Sequence, residues 1–96
     1  MEKKQLKRIG EQAIRDVVDY IEKQDSEIEI EEWEDSVEIN PSGSNCVLNY
    51  HNVLSQIWFA SSEKGAYHFS YNENTSEWIS TKGEKLYDVI NDVVLG

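Results

Sequence analysis

Between Asp25 and Glu38 the chain carries eight carboxylates and no lysine or arginine: Asp25, Glu27, Glu29, Glu31, Glu32, Glu34, Asp35 and Glu38. Glu27, Glu29 and Glu31 alternate with Ile28 and Ile30. A period of two belongs to a strand, and it sets successive carboxylates ~7 Å apart on one face. The segment before it adds Glu11, Asp19 and Glu22. Crowded carboxylates repel one another, and a hard divalent or trivalent cation relieves the repulsion. Such a ridge is open and solvated. It offers attraction and shallow single-oxygen contacts, not a closed cage. A purely solubilising face has the same composition.

Other chemistry is sparse. His51 and His68 have no G-x-S-x-G nearby and do not form H-E-x-x-H or another metal spacing. Strand histidines of this kind are ligands in a minority of cases. No glycine-rich phosphate loop is present, and the acidic run lacks the glycine and ligand spacing of an EF-hand. Cys46 is the single cysteine, which excludes an intrachain disulfide and a cysteine-based zinc site and suits a reducing compartment.

The balance of charge narrows the partners. Nineteen acids against nine bases give a net charge of −10 over 96 residues. Nucleic acid and anionic membrane surfaces are excluded as partners, because phosphate attraction needs the opposite sign. Cations and basic proteins are favoured. The longest apolar runs, Ile57–Ala60 and Val93–Leu95, are far too short to cross a bilayer. Met1-Glu2-Lys3-Lys4 leads into polar helix and not into an apolar signal region. Three Trp, five Tyr and two Phe supply one small core, so residues 1–96 are expected to form a single domain.

These side chains need elements to hold them. Leu6, Ile9, Ala13, Val17, Tyr20 and Ile21 recur at three- and four-residue steps, which predicts a helix over residues 3–24. Gly10 interrupts that stripe at a cost of about 1 kcal/mol against alanine, which predicts that something packs closely there. From Asp25 the period changes to two. Ile28 and Ile30 mark one strand, and Val37 and Ile39 a second that ends at Asn40-Pro41-Ser42-Gly43. Cys46–Tyr50, Gln56–Ser61, Ala66–Tyr71 and Trp78–Ser80 read as four more, separated by Glu63-Lys64-Gly65 and Asn72-Glu73-Asn74-Thr75. After Thr81-Lys82-Gly83, a second helix carries Leu86, Val89, Ile90, Val93 and Val94 on one face. The expected class is α+β: two helices packed on one face of a roughly five- to six-stranded antiparallel sheet, in the order α-β-β-β-β-β-β-α.

The other face of the sheet is then open to water. Alternation sends Ile57 and Phe59 to the core, and Gln56, Trp58 and Ala60 outward. In the strand before, Cys46 and Leu48 face in while Val47, Asn49 and His51 face out. In the strand after, Tyr67, Phe69 and Tyr71 face in while His68 and Ser70 face out. An open face bearing Trp, Asn, Gln and His is a candidate binding surface. The alternative is that Trp58 packs at a sheet edge or under a loop.

Leu48-Asn49-Tyr50-His51 followed by Gln56-Ile57-Trp58-Phe59 resembles the frataxin family, whose motif runs Ile-Asn-Lys/Arg-Gln, a Pro, then Gln-Ile/Val-Trp-Leu. Tyr67-His68-Phe69 and Glu77-Trp78-Ile79 resemble the bacterial members, as does Leu6-Lys7-Arg8-Ile9 to Gln12 in the first helix. The resemblance covers nearly the whole chain. It implies two helices on one face of an antiparallel sheet. It also implies a role in iron–sulfur cluster assembly, docking on a cysteine desulfurase and its scaffold protein and binding iron (Fe2+/Fe3+) weakly. By this resemblance Asn49, Gln56, Trp58 and His51 contact the partner. Glu11, Asp19 and Glu22 form the helix part of an iron ridge, continued by Asp25, Glu27, Glu29 and Glu31.

The chain departs from the family pattern at several points. Tyr50 replaces a basic residue, His51 a Gln, and Val53 a Pro. Lys3, Lys4, Lys7 and Arg15 thin the helix ridge and shift the acidity toward the first strand. The chain stops at Gly96, without the tail that longer members pack against their helices, which implies modest stability. The resemblance implies a monomer in the bacterial cytoplasm, or in the mitochondrial matrix or a related organelle. It admits ferroxidase or iron-store activity, although the chain has no facing Glu-x-x-His pairs. An acidic protein-interaction module with no metal role is the remaining alternative.

Overall fold

The computed structural model describes all residues, Met1–Gly96. Helix α1 spans Lys3–Gln24, and α2 spans Leu86–Val93. Between them run β1 (Glu29–Glu32), β2 (Val37–Asn40), β3 (Cys46–His51), β4 (Gln56–Ser61), β5 (Gly65–Asn72) and β6 (Glu77–Ser80). The strands form one sheet in sequence order, each antiparallel to the next. No helix is long and apolar enough to cross a membrane.

The two periods read from the sequence explain the layering. Ile14, Val17, Val18 and Ile21 of α1 and Leu86, Val89, Ile90 and Val94 around α2 join one core. Their partners are Val37, Ile39, Cys46, Leu48, Ile57, Phe59, Phe69 and Trp78, all from one face of the sheet. Both helices therefore cover that face and leave the other in water. Cys46 lies within the core, and burial pushes its thiol up from the ordinary cysteine value.

Gly10 has the close neighbour that its position in a helical stripe predicts. A Cβ built there would lie 2.5 Å from Cδ1 and Cε1 of Tyr50 and 3.4 Å from Cη2 of Trp78. Tyr50 stands where the family motif has a basic residue. It turns its ring toward α1 and meets Trp78 edge-to-face at 6.3 Å, with 89° between the planes. Its hydroxyl is buried without a hydrogen-bond partner. A desolvated, unpaired hydroxyl costs about 1–3 kcal/mol. Tyr50→Phe is therefore expected to stabilise the fold by about 1 kcal/mol, raising the calorimetric midpoint by roughly 4–8 °C. An unchanged or lower midpoint would show that the hydroxyl is satisfied.

Candidate functional site

Strand register places the open-face residues in rows across the sheet. Asn49 of β3 lies opposite Trp58 of β4, which lies opposite His68 of β5. One row on, His51 lies opposite Gln56. Directly opposed side chains touch, and diagonal ones are within reach of aromatic rings. The imidazole of His68 stacks on one face of the Trp58 indole at 4.2 Å and 14°. The imidazole of His51, on the diagonal, stacks on the other at 4.1 Å and 22°. Trp58 is thus clamped between two histidines, on the open face as alternation predicts, and on an interior strand and not at a sheet edge.

Hydrogen bonds lock this ladder. The Trp58 Nε1–H donates to Gln56 Oε1 at 2.9 Å. The Gln56 Nε2–H donates to Ser70 Oγ at 3.2 Å, tying β4 to β5. The Leu54 N–H donates to His51 Nδ1 at 3.1 Å, which ties the imidazole to the β3–β4 turn. Trp58 therefore has few rotamers left to lose when a partner covers it. Such preorganisation lowers the entropic cost of binding. The two histidines, unremarkable as strand residues, hold the tryptophan. The resemblance assigns His51 to partner contact; in the structure His51 and His68 both stack on the indole.

The carboxylates are placed differently from a single ridge. Glu11, Asp19, Glu22, Asp25, Glu27, Glu29 and Glu31 are all exposed. Ile30 lies opposite the buried Ile39, so Ile30 takes the core side and Glu29 and Glu31 take the open face. Glu11, Asp19 and Glu22 ride on the helix that covers the other face. Glu11 shares a cleft wall with Lys7 and Arg15, which temper its charge. The structure brings Glu31 directly opposite Glu38. Like charges in that relation repel, so a cation or a basic group settles there favourably. Glu38 belongs to the acidic run but not to the ridge that the family pattern implies, and its pairing with Glu31 is set by the strand register. No group of three or more His, Cys, Asp or Glu side chains converges to hold a metal ion. The donors have the hard oxygen chemistry that iron accepts, but they form an open edge. The one ion pair, Lys85 to Glu77 at 3.2 Å, lies at the opposite edge of the sheet.

Trp33, 59% exposed between Glu32 and Glu34, lies outside the residues that the resemblance assigns. A lone Trp within the acidic run is its signal in the sequence.

Comparison with known proteins agrees with this architecture. A model of the frataxin-like domain matches residues 1–95. An iron-sulfur cluster assembly protein CyaY from Thioalkalivibrio sulfidiphilus (strain HL-EbGR7) is 40% identical over 53 residues, 54% of this chain and 49% of that protein. A protein of the same name from Pseudomonas putida (strain W619) is 33% identical over 45 residues, 47% of this chain and 40% of that protein. The chain spans about half the length, or less, of these curated relatives. Among solved structures, a frataxin from Psychromonas ingrahamii matches with a TM-score of 0.84 at 16% identity, over 99% of this chain and 90% of that one. That last likeness is one of fold.

Proposed function

The chain belongs to the frataxin-like domain family, and from that premise we propose that it serves iron–sulfur cluster assembly by binding rather than by covalent catalysis. Its named relatives are assembly proteins of bacteria. The cytoplasm is the compartment we assign. The partner in this reading is a cysteine desulfurase with its scaffold protein. The observation that carries the reading is the clamped Trp58 on an uncovered sheet face. Tryptophan is enriched among the few residues that dominate interface energies. Asn49 and Gln56 flank it in register and supply polar contacts. The acidic edge steers the encounter with a basic partner, raising the on-rate more than the affinity.

The test is the rate of cluster formation by a desulfurase and scaffold, with and without this protein at equal concentration. A changed rate that disappears with Trp58→Ala supports the reading. No change and no detectable complex would end it.

Iron, in this reading, is weakly held cargo and not a resident cofactor. The site is the carboxylate edge of Glu29, Glu31 and Glu38, with Asp19, Glu22, Asp25 and Glu27 adding charge. In an anaerobic Fe(II) or Co(II) titration followed by NMR, amides around Glu29, Glu31 and Glu38 are expected to broaden first. Those near Glu11, beside Lys7 and Arg15, are expected to broaden last. If no amide between Asp19 and Glu38 responds, the edge has no metal role.

A further inference from the structure

A cleft of about 500 Å³ separates the first half of α1 from the β1–β2 hairpin, and its two walls differ in charge. Lys7, Glu11 and Arg15 form the helix wall, at steps of four residues that keep them on one face of α1. Glu32, Glu34 and Asp35 form the hairpin wall. Strand pairing turns Glu32 toward the helix. It lies opposite Val37, which is buried in the core, so both side chains stand on the helix-covered face.

The opposed charges do not satisfy one another. The one ion pair of the chain joins Lys85 to Glu77, so none crosses this cleft. The Arg15 guanidinium gives an N–H to Gln12 Oε1 at 2.9 Å and has further donors in its fork. Trp33 lines the same cleft, 59% exposed between Glu32 and Glu34. Its backbone N–H donates to the Ser36 carbonyl at 2.8 Å, which closes the hairpin that carries it. An exposed indole beside carboxylates attracts a cation to its face. Glu11, Glu32, Glu34 and Asp35 against Lys7 and Arg15 leave the lining at a charge of −2. Its complement therefore carries a negative group for the helix wall and a larger positive charge for the hairpin wall.

We infer that this cleft binds a basic α-amino acid of the arginine type. Its carboxylate meets Arg15 and Lys7, where a guanidinium fork matches two carboxylate oxygens. Its α-ammonium and side-chain guanidinium meet Glu32, Glu34 and Asp35, and the guanidinium plane lies on the Trp33 indole. A simple cation satisfies only the hairpin wall, and a simple carboxylate only the helix wall. Neither Trp58 nor its flanking histidines line the cleft, so the inference stands apart from the docking reading.

The test titrates the isotope-labelled full chain by NMR with L-arginine at constant ionic strength. Agmatine, which lacks the carboxylate, and L-citrulline, which lacks the side-chain charge, are titrated beside it. L-Arginine is expected to shift the α1 amides around Lys7 and Arg15, the hairpin amides and the Trp33 indole N–H along one saturating curve. Agmatine and L-citrulline are each expected to bind roughly tenfold more weakly, because each gives up a charge-assisted contact. Arg15→Gln is expected to weaken L-arginine roughly tenfold and to leave agmatine unchanged. Glu34→Gln with Asp35→Asn is expected to weaken both. The substituted side chains are exposed, and an unchanged melting curve confirms that the fold is intact. Agmatine that binds as tightly as L-arginine would overturn the inference and leave only a cation-attracting edge. A chain in which L-arginine shifts nothing would overturn it as well, the two walls then neutralising each other.

Discussion

A Trp58→Ala chain is expected to melt within about 1 kcal/mol of wild type and to lose at least roughly thirty-fold in affinity for a desulfurase–scaffold pair. That factor corresponds to the ~2 kcal/mol or more that a central aromatic anchor carries. The loss is large for two structural reasons. The indole stands on a face that no element of this chain covers, so its stacking contributes little to the core. Its orientation is also already set by His51, His68 and Gln56, so the wild-type side chain pays little ordering cost on docking. His68→Ala removes one wall of the clamp and serves as the control. It is expected to weaken docking several-fold, less than loss of the anchor itself. Isothermal titration and a thermal melt on the same samples separate the two effects. A fall in stability matching the fall in affinity would mean that Trp58 is a structural residue.

Gly10→Val is expected to have the largest effect on stability, a loss of roughly 2–3 kcal/mol. The midpoint would fall by roughly 10–20 °C for a domain of this size. Two effects of glycine compete here. Any residue other than proline raises helix propensity, by up to about 1 kcal/mol for alanine. Against that, the added Cβ would sit 2.5 Å from two ring atoms of Tyr50. The ring cannot swing aside easily, because it is packed edge-on against Trp78 and its hydroxyl end is buried. The steric term wins, and valine adds further bulk and its own poor helix propensity. Gly10→Ala should lie between wild type and valine. Shortening the opposing ring, as Tyr50→Val, should recover part of the loss in a double-mutant cycle, because the two residues are in contact. A Gly10→Val chain that melts at or above wild type would show that α1 shifts freely over the sheet.

These two results depend on the sequence to different degrees. The helix stripe from Leu6 to Ile21, the strand alternation and the outward direction of Trp58 are properties of neighbouring residues. A period of 3.6 or 2 can be read without knowing what an element packs against. The α+β order and the helix-covered face follow from the same periods. The close contact at Gly10 was also foreseeable as a contact, because a glycine inside an apolar stripe costs helix stability.

The partner of Gly10 was decided by the tertiary structure. So were the His51–Trp58–His68 stack and the Glu31–Glu38 opposition. Each of these joins residues on different elements, and each depends on strand register or helix placement. A slip of one residue in register sends every side chain of a strand to the other face. Register is chosen by loop geometry and by the fit of the whole core together, including the ring of Tyr50 in the space that Gly10 leaves. The sequence therefore determined which residues face water on each element. Only the folded sheet decided which of them meet.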